Sequence, residues 1–349
     1  MPLKLALVDA HRAARIPYDD APLKPNEVRI RAEYASGKHG TTFGMLDGSA
    51  FAGHNFDLES RLFVPGETWQ APPSADAPRS FGTTGVGTVT EIGTDVTKWN
   101  VGDRVFGLMD IKETVTKPED GTLWHLGDID PLLTLCLEPA YVAFHCVRES
   151  NVRFGETVAV IGLGALGCLA VAMAKASGAE AIFAVDTVQK RRDWAMANGA
   201  TAAFNPETDG DIAQKIHDAT GKKGVDVAIE LAGVYPALFL ATRCVRVAGT
   251  VCSAGFYQGE AKGMWLGREW HHNRLTMIVP HGCGFGTPPR DFPRWDERRA
   301  YDALVSLMRQ GTLSAPGLID PVVAFNDADD ILQTVHDHPD GSIKFGVRF

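Results

Sequence analysis

The run Val158-Ala159-Val160-Ile161-Gly162-Leu163-Gly164-Ala165-Leu166-Gly167 constrains the fold more than any other stretch of these 349 residues. Four apolar residues in succession read as a buried parallel strand. The glycines that follow, at Gly-x-Gly-x-x-Gly spacing, turn the chain sharply into a helix. Gly162 permits the turn, Gly164 lets the backbone approach a pyrophosphate, and Gly167 lets helix and strand pack closely. The first helical residues, Ala165 and Leu166, then face the phosphates. Asp186 ends the next apolar run, 19 residues beyond Gly167. An acidic residue there accepts the ribose hydroxyls of adenosine and repels a 2′-phosphate, whereas Lys190, Arg191 and Arg192 would tolerate one. Gly162, Gly164, Ala165, Leu166, Gly167, Asp186 and Arg191 are therefore the expected cofactor-binding set, with NAD(H) favoured over NADP(H).

From Gly155 the chain alternates short apolar strands with helices: Thr157–Ile161, Ala181–Val185, Val225–Ile229 and Thr250–Ser253 between helices at Ala165–Ser177, Lys190–Asn198, Asp211–Thr220 and Pro236–Cys244. That alternation specifies a doubly wound parallel sheet covered on both faces. Before it, Lys4 to Ile111 reads as short alternating strands with turn residues between them, as in Val28–Ala32 and Gly87–Gly93. Ala50 to Arg79 is rich in Pro and Gly and reads as a surface loop. Leu132–Arg148 reads as a helix broken or kinked at Glu138 by Pro139. A last helix, Trp295–Gln310, and a last strand, Ile343–Phe349, return to the first domain. The fold class is α/β, with domains at 1–138 plus 289–349 (β-rich) and 139–288 (doubly wound).

The net charge of -9, without a long basic run, argues against nucleic acid or an anionic membrane as partner. No apolar stretch approaches the roughly 20 residues of a membrane helix. The N-terminal segment alternates like a strand and lacks a signal peptide's apolar core, which reads as cytoplasmic. The six cysteines are widely spaced with no Cys-x-x-Cys pair, the pattern of buried reduced thiols.

A β-rich domain, a mid-chain dinucleotide fingerprint and a return, together with Gly82-Thr83-Thr84-Gly85-Val86-Gly87 and Asn100-Val101-Gly102-Asp103-Arg104-Val105-Phe106-Gly107, resemble the medium-chain dehydrogenase/reductase family over nearly the whole chain. The segment Leu137–His145 looks like the Glu-Pro segment of its polyol and threonine dehydrogenase branch. The resemblance implies a GroES-like catalytic domain beside a Rossmann domain, a soluble small-molecule enzyme, and a homodimer or homotetramer. It also shows where the chain departs from the family. The family's Gly-His-Glu-x-x-Gly frame carries threonines at 83 and 84. Its first zinc-ligand cysteine falls on Lys38 or His39, depending on whether the alignment runs from the preceding strand or the following Gly-Thr. No cysteine lies between Met1 and Leu135 to build a structural-zinc lobe. The expectation is no zinc, because a hydroxyl is a poor ligand for it.

Hydride transfer to or from a small polar alcohol then needs another group to handle the hydroxyl proton and stabilise the oxyanion. Lys38, His39 and Glu138 are the catalytic candidates, with a Lys–Glu pair standing where a metal and its ligands would be. Thr83, Thr84, Trp265 and His271 are the substrate-binding candidates. The leading expectation is a zinc-independent NAD(H)-dependent oxidoreductase acting on a sugar, polyol or cyclitol. The alternatives are a quinone or enone reductase of the same family, or a catalytically silent dinucleotide-binding protein.

Overall fold

A computed structural model describes residues 1–9, 12–38, 53–66, 72–280 and 292–349. His39 and Cys283 lie outside them. The chain divides into two units, Met1–Glu138 with Ile319–Phe349, and Pro139–Leu318.

The first unit is built on the strand Glu27–Ser36. It pairs along its length with Thr84–Ile92. On its other edge it pairs with Thr114–Pro118 in its first half and with Lys344–Arg348 in its second. Arg104–Gly107 and Leu123–His125 extend the sheet on one side, and Ile319–Ala324 on the other. The alternating pattern holds because one face of these strands packs on a core that includes Leu5, Leu7, Phe81, Phe325 and Phe345. The glycines of the Gly82–Gly87 frame serve that packing: a Cβ on Gly87 would lie 2.2 Å from the Arg31 carbonyl oxygen. Part of the stretch expected as a loop, Ala50–Arg79, forms a hairpin of His54–Asp57 with Leu62–Pro65.

The second unit is the doubly wound sheet, with Ala202–Phe204, Ala181–Val185, Thr157–Ile161, Val225–Glu230, Val245–Ser253 and Thr276–Ile278 adjacent in that order and all parallel. It extends 30 residues past the expected boundary at 288, to Leu318. The helix Glu297–Arg309 belongs to it because Tyr301 stacks on Tyr141 at 4.5 Å and Trp295 meets Phe144 at 5.3 Å.

The helix expected at Leu132–Arg148 is two helices, Pro131–Thr134 and Leu137–Glu149. The break falls at Leu135-Cys136. Pro139 sits in the first turn of the second helix, where its missing N–H leaves no bond unmade, so Glu138 is helical and unkinked.

Phe345 is fully buried and stacks on Phe81 at 6.1 Å. Phe345→Ala should destabilise the protein by about 3–5 kcal/mol in urea unfolding. A loss under about 1 kcal/mol would show that the core of the first unit is not organised around this ring.

Candidate functional site

In the first unit the strand Glu27–Ser36 ends at three residues that are held one by one. The Ser36 carbonyl accepts from the Thr83 backbone N–H at 2.8 Å and from the Thr83 hydroxyl at 3.2 Å. The Ser36 hydroxyl donates to the Phe345 carbonyl at 2.7 Å. Gly37 accepts through its carbonyl from Lys344 Nζ at 2.9 Å. A Cβ on Gly37 would lie 2.4 Å from the Phe81 ring, so only glycine lets the chain pass there. Lys38 leaves from this anchored peptide and donates from Nζ to Glu138 Oε1 at 2.9 Å. Neither partner is well exposed, at 34% and 18% of the side chain, so water screens the pair only in part.

Lys344 was not singled out from sequence. A lysine in a final strand carries no local sign of burial, yet only 3% of it is exposed. Loss of hydration pushes its ammonium down to about 8, opposed by the neighbouring Cys136 and Glu138 and assisted by the positive charge of Lys38. Burial also pushes the Cys136 thiol up to about 12, so that sulfur is inert.

The two threonines part company. Thr83 is a clamp on Ser36. Thr84 is fully buried, and its hydroxyl has no hydrogen-bond partner among the described residues. Thr84 opens the strand Thr84–Ile92. Among the described residues no three His, Cys, Asp or Glu side chains are grouped to hold a metal ion. Of the positions where the resemblance would place ligands, Thr83 is engaged with Ser36 and Glu138 accepts from Lys38, whereas His39, the alternative to Lys38, lies outside the described residues.

In the second unit the glycines shape the strand-to-helix turn, with Gly162 at a φ of +90°. A Cβ on Gly167 would lie 1.9 Å from the Gly162 carbonyl oxygen, so this pair sets how closely helix and strand approach. A Cβ on Gly164 would meet nothing within 4 Å. The mouth of the helix Ala165–Ala176 is therefore open, and Gly164 provides no side-chain cap for its N–H groups. That arrangement fits a dinucleotide pyrophosphate. Asp186 accepts from the backbone N–H of Leu163 at 2.6 Å and of Val188 at 2.8 Å. It thus ties the glycine turn to the next strand while keeping lone pairs for further donors. Arg191 Nη1 stands 3.9 Å from its carboxylate, and Arg192 donates to its backbone carbonyl at 2.7 Å.

Trp265 and His271 also belong to the second unit. Trp265 is exposed and lies 4.3 Å under the Arg268 guanidinium. His271 and His272 sit in a short helix, Glu269–His272, and not on a strand, and their rings meet edge to face at 5.4 Å. Tyr257 stacks on Tyr235 at 5.4 Å and donates to the buried Glu230, whose carboxyl is pushed above the usual range by lost hydration. This aromatic ring is committed to the protein's own structure.

Residues 24–122 match the alcohol dehydrogenase GroES-like domain, and residues 165–297 match the zinc-binding dehydrogenase domain. The chain is 36% identical over 365 aligned positions to D-guloside 3-dehydrogenase of Escherichia coli, covering 99% of each. It is 30% identical to the probable D-xylulose reductase A of Emericella nidulans, covering 74% of this chain and 77% of that one. The fold matches that of 2R,3R-butanediol dehydrogenase from Bacillus subtilis with a TM-score of 0.75 at 22% identity, covering 100% of both chains.

The unfolded chain titrates a lysine near 10.5, and the folded chain releases the Lys344 proton near 8. Between those values the unfolded state binds more protons, so this group's contribution to stability rises with pH. Thermal unfolding should show the native chain gaining on Lys344→Met as pH rises from about 8 to about 10. Parallel curves for the two proteins would contradict a buried, charged Lys344.

Proposed function

The chain belongs to the medium-chain zinc-type alcohol dehydrogenase family and acts on CH–OH groups, and we propose that it oxidises a secondary hydroxyl of a sugar or glycoside, without zinc and with NAD(H). The observation that carries this reading is the Lys38–Glu138 pair at 2.9 Å. A cation beside a proton acceptor supports the reading, because the two can share the proton chemistry a metal would otherwise assist. The sugar substrate class rests on the likeness to D-guloside 3-dehydrogenase along nearly the whole chain.

The chemistry divides between the chain's own groups. The Lys38 ammonium hydrogen-bonds the substrate oxygen and stabilises the negative charge that builds there. The Glu138 carboxylate accepts the hydroxyl proton and, in the reverse direction, returns it. Because the Gly37-Lys38 peptide is anchored by Lys344 and crowded by Phe81, the ammonium needs little reorganisation to reach that oxygen. Thr83 holds the preceding carbonyl in place. The nicotinamide cofactor, when bound, supplies the hydride acceptor. Gly164 and the helix opening at Ala165 cradle its pyrophosphate, and Asp186 takes the adenosine ribose. His39, next to Lys38 in sequence, is a further candidate donor, and Trp265 and His271 are the candidates for sugar binding in the second unit.

The test is turnover of sugars, glycosides and polyols by purified protein of known metal content. We expect NAD-dependent oxidation that survives chelators, with less than one zinc per chain. Lys38→Met and Glu138→Gln should each lower kcat by about 10²-fold or more. Unchanged turnover in both variants, or activity that tracks bound zinc, would end the proposal. Reduction of enones in preference to sugar oxidation would move the chain to another reaction class.

Asp186 sets a second expectation. NADH should bind more tightly than NADPH, and Asp186→Ser should narrow the gap by about ten-fold, as the loss of one charge-assisted contact implies. Fluorescence titration with both cofactors measures this. Tighter NADPH binding by the native chain would give the site to Arg191 and Arg192.

A further inference from the structure

Three constraints converge on Lys344. It is buried to 3% exposure, and a buried ammonium is retained only where its hydrogen bonds and charge are answered. The acceptor it uses is the main-chain carbonyl of Gly37, the residue immediately before Lys38. On the other side of that residue the Phe81 ring leaves no room for even a methyl group. Ring and ammonium together allow the Gly37-Lys38 peptide little rotation, and the Lys38 side chain can then span to Glu138. Lys344 reaches this place because its strand pairs with Glu27–Ser36 through Val347 with Ala35 and Arg348 with Tyr34.

We propose that Lys344 is a positioning residue, whose ammonium fixes the Gly37-Lys38 peptide so that Lys38 is directed at Glu138. The role rests on reading Lys38 and Glu138 as the proton-handling pair. It differs from general stabilisation, since its effect is on the reach and accessibility of one amine. Cys136, Glu138 and Lys38 are the titratable groups that act on Lys344, and none of them replaces its bond to Gly37.

The experiment reads Lys38 directly. Full-length native protein, Lys344→Met and Lys344→Gln are treated briefly with limiting acetic anhydride, and acetylation is mapped by peptide mass spectrometry. Lys24, 76% exposed, serves as the internal reference. In Lys344→Met the clamp is gone and the Lys38–Glu138 pair opens, so labelling of Lys38 relative to Lys24 should rise roughly ten-fold, the scale of one hydrogen bond to a charged group. In Lys344→Gln, which keeps a shorter neutral donor, the rise should be smaller. Wild-type labelling of Lys38 in either variant, with circular dichroism showing it folded, overturns the proposal.

Steady-state kinetics give the second readout. We expect kcat to fall in Lys344→Met while KM for the sugar changes little. An equal change in both, with labelling unmoved, would mean that Lys344 only supports the fold. If labelling rises as expected but the native protein oxidises no sugar or polyol, the positioning role stands and the assigned reaction falls.

Discussion

Two consecutive carbonyls at the end of one strand organise the first unit's chemistry. Ser36 and Gly37 mark where the strand Glu27–Ser36 ends, and main-chain oxygens in a buried place must find donors. Thr83 answers the first and Lys344 the second. Each answer has a consequence beyond satisfying a polar atom. The threonine couples this strand to its neighbour where the neighbour begins. The lysine brings a positive charge into the interior, which is costly unless a carboxylate is near. Glu138 supplies one, held from its other side by Lys38. The ion pair is therefore the visible end of a chain of necessities that starts with unpaired backbone.

The doubly wound unit was readable because its determinants are local. Continuous apolar runs, a glycine turn of fixed spacing and an acidic residue after the next strand are all properties of neighbouring residues. Even there the short strand Ala202–Phe204 was missed, since three residues carry too little pattern. A pairing of Glu138 with Lys38 or His39 was also legible from the family frame; the structure shows the Lys38 contact, and His39 lies outside the described residues. Lys344 was invisible. Its meaning depends on a strand more than 300 positions earlier in the chain, and nothing next to it betrays that it is buried. That Thr84 is buried at the start of its strand was equally hidden, since a polar residue in a motif carries no sign of burial. The helix break moved from Glu138 to Leu135-Cys136 because proline is harmless in a first turn, a matter of where the helix begins.

The glycine frame at Gly82–Gly87 is fixed by close backbone approach. A Cβ on Gly82 would run into the backbone of Asp110 at 2.4 Å, and one on Gly87 into the Arg31 carbonyl. These positions are demanded by the packing of strands.

The first unit is made from both ends of the chain, Met1–Glu138 and Ile319–Phe349, with the whole second unit threaded between. During synthesis Lys38 and Glu138 emerge before the second unit, whereas Lys344 emerges after it. A nascent chain therefore carries its dinucleotide fold complete while the Gly37 carbonyl still waits for a donor. That donor arrives only when Lys344 leaves the ribosome and is drawn out of water. Any interruption of translation upstream of that strand leaves the glycine-rich turn intact and the Gly37 carbonyl without its lysine.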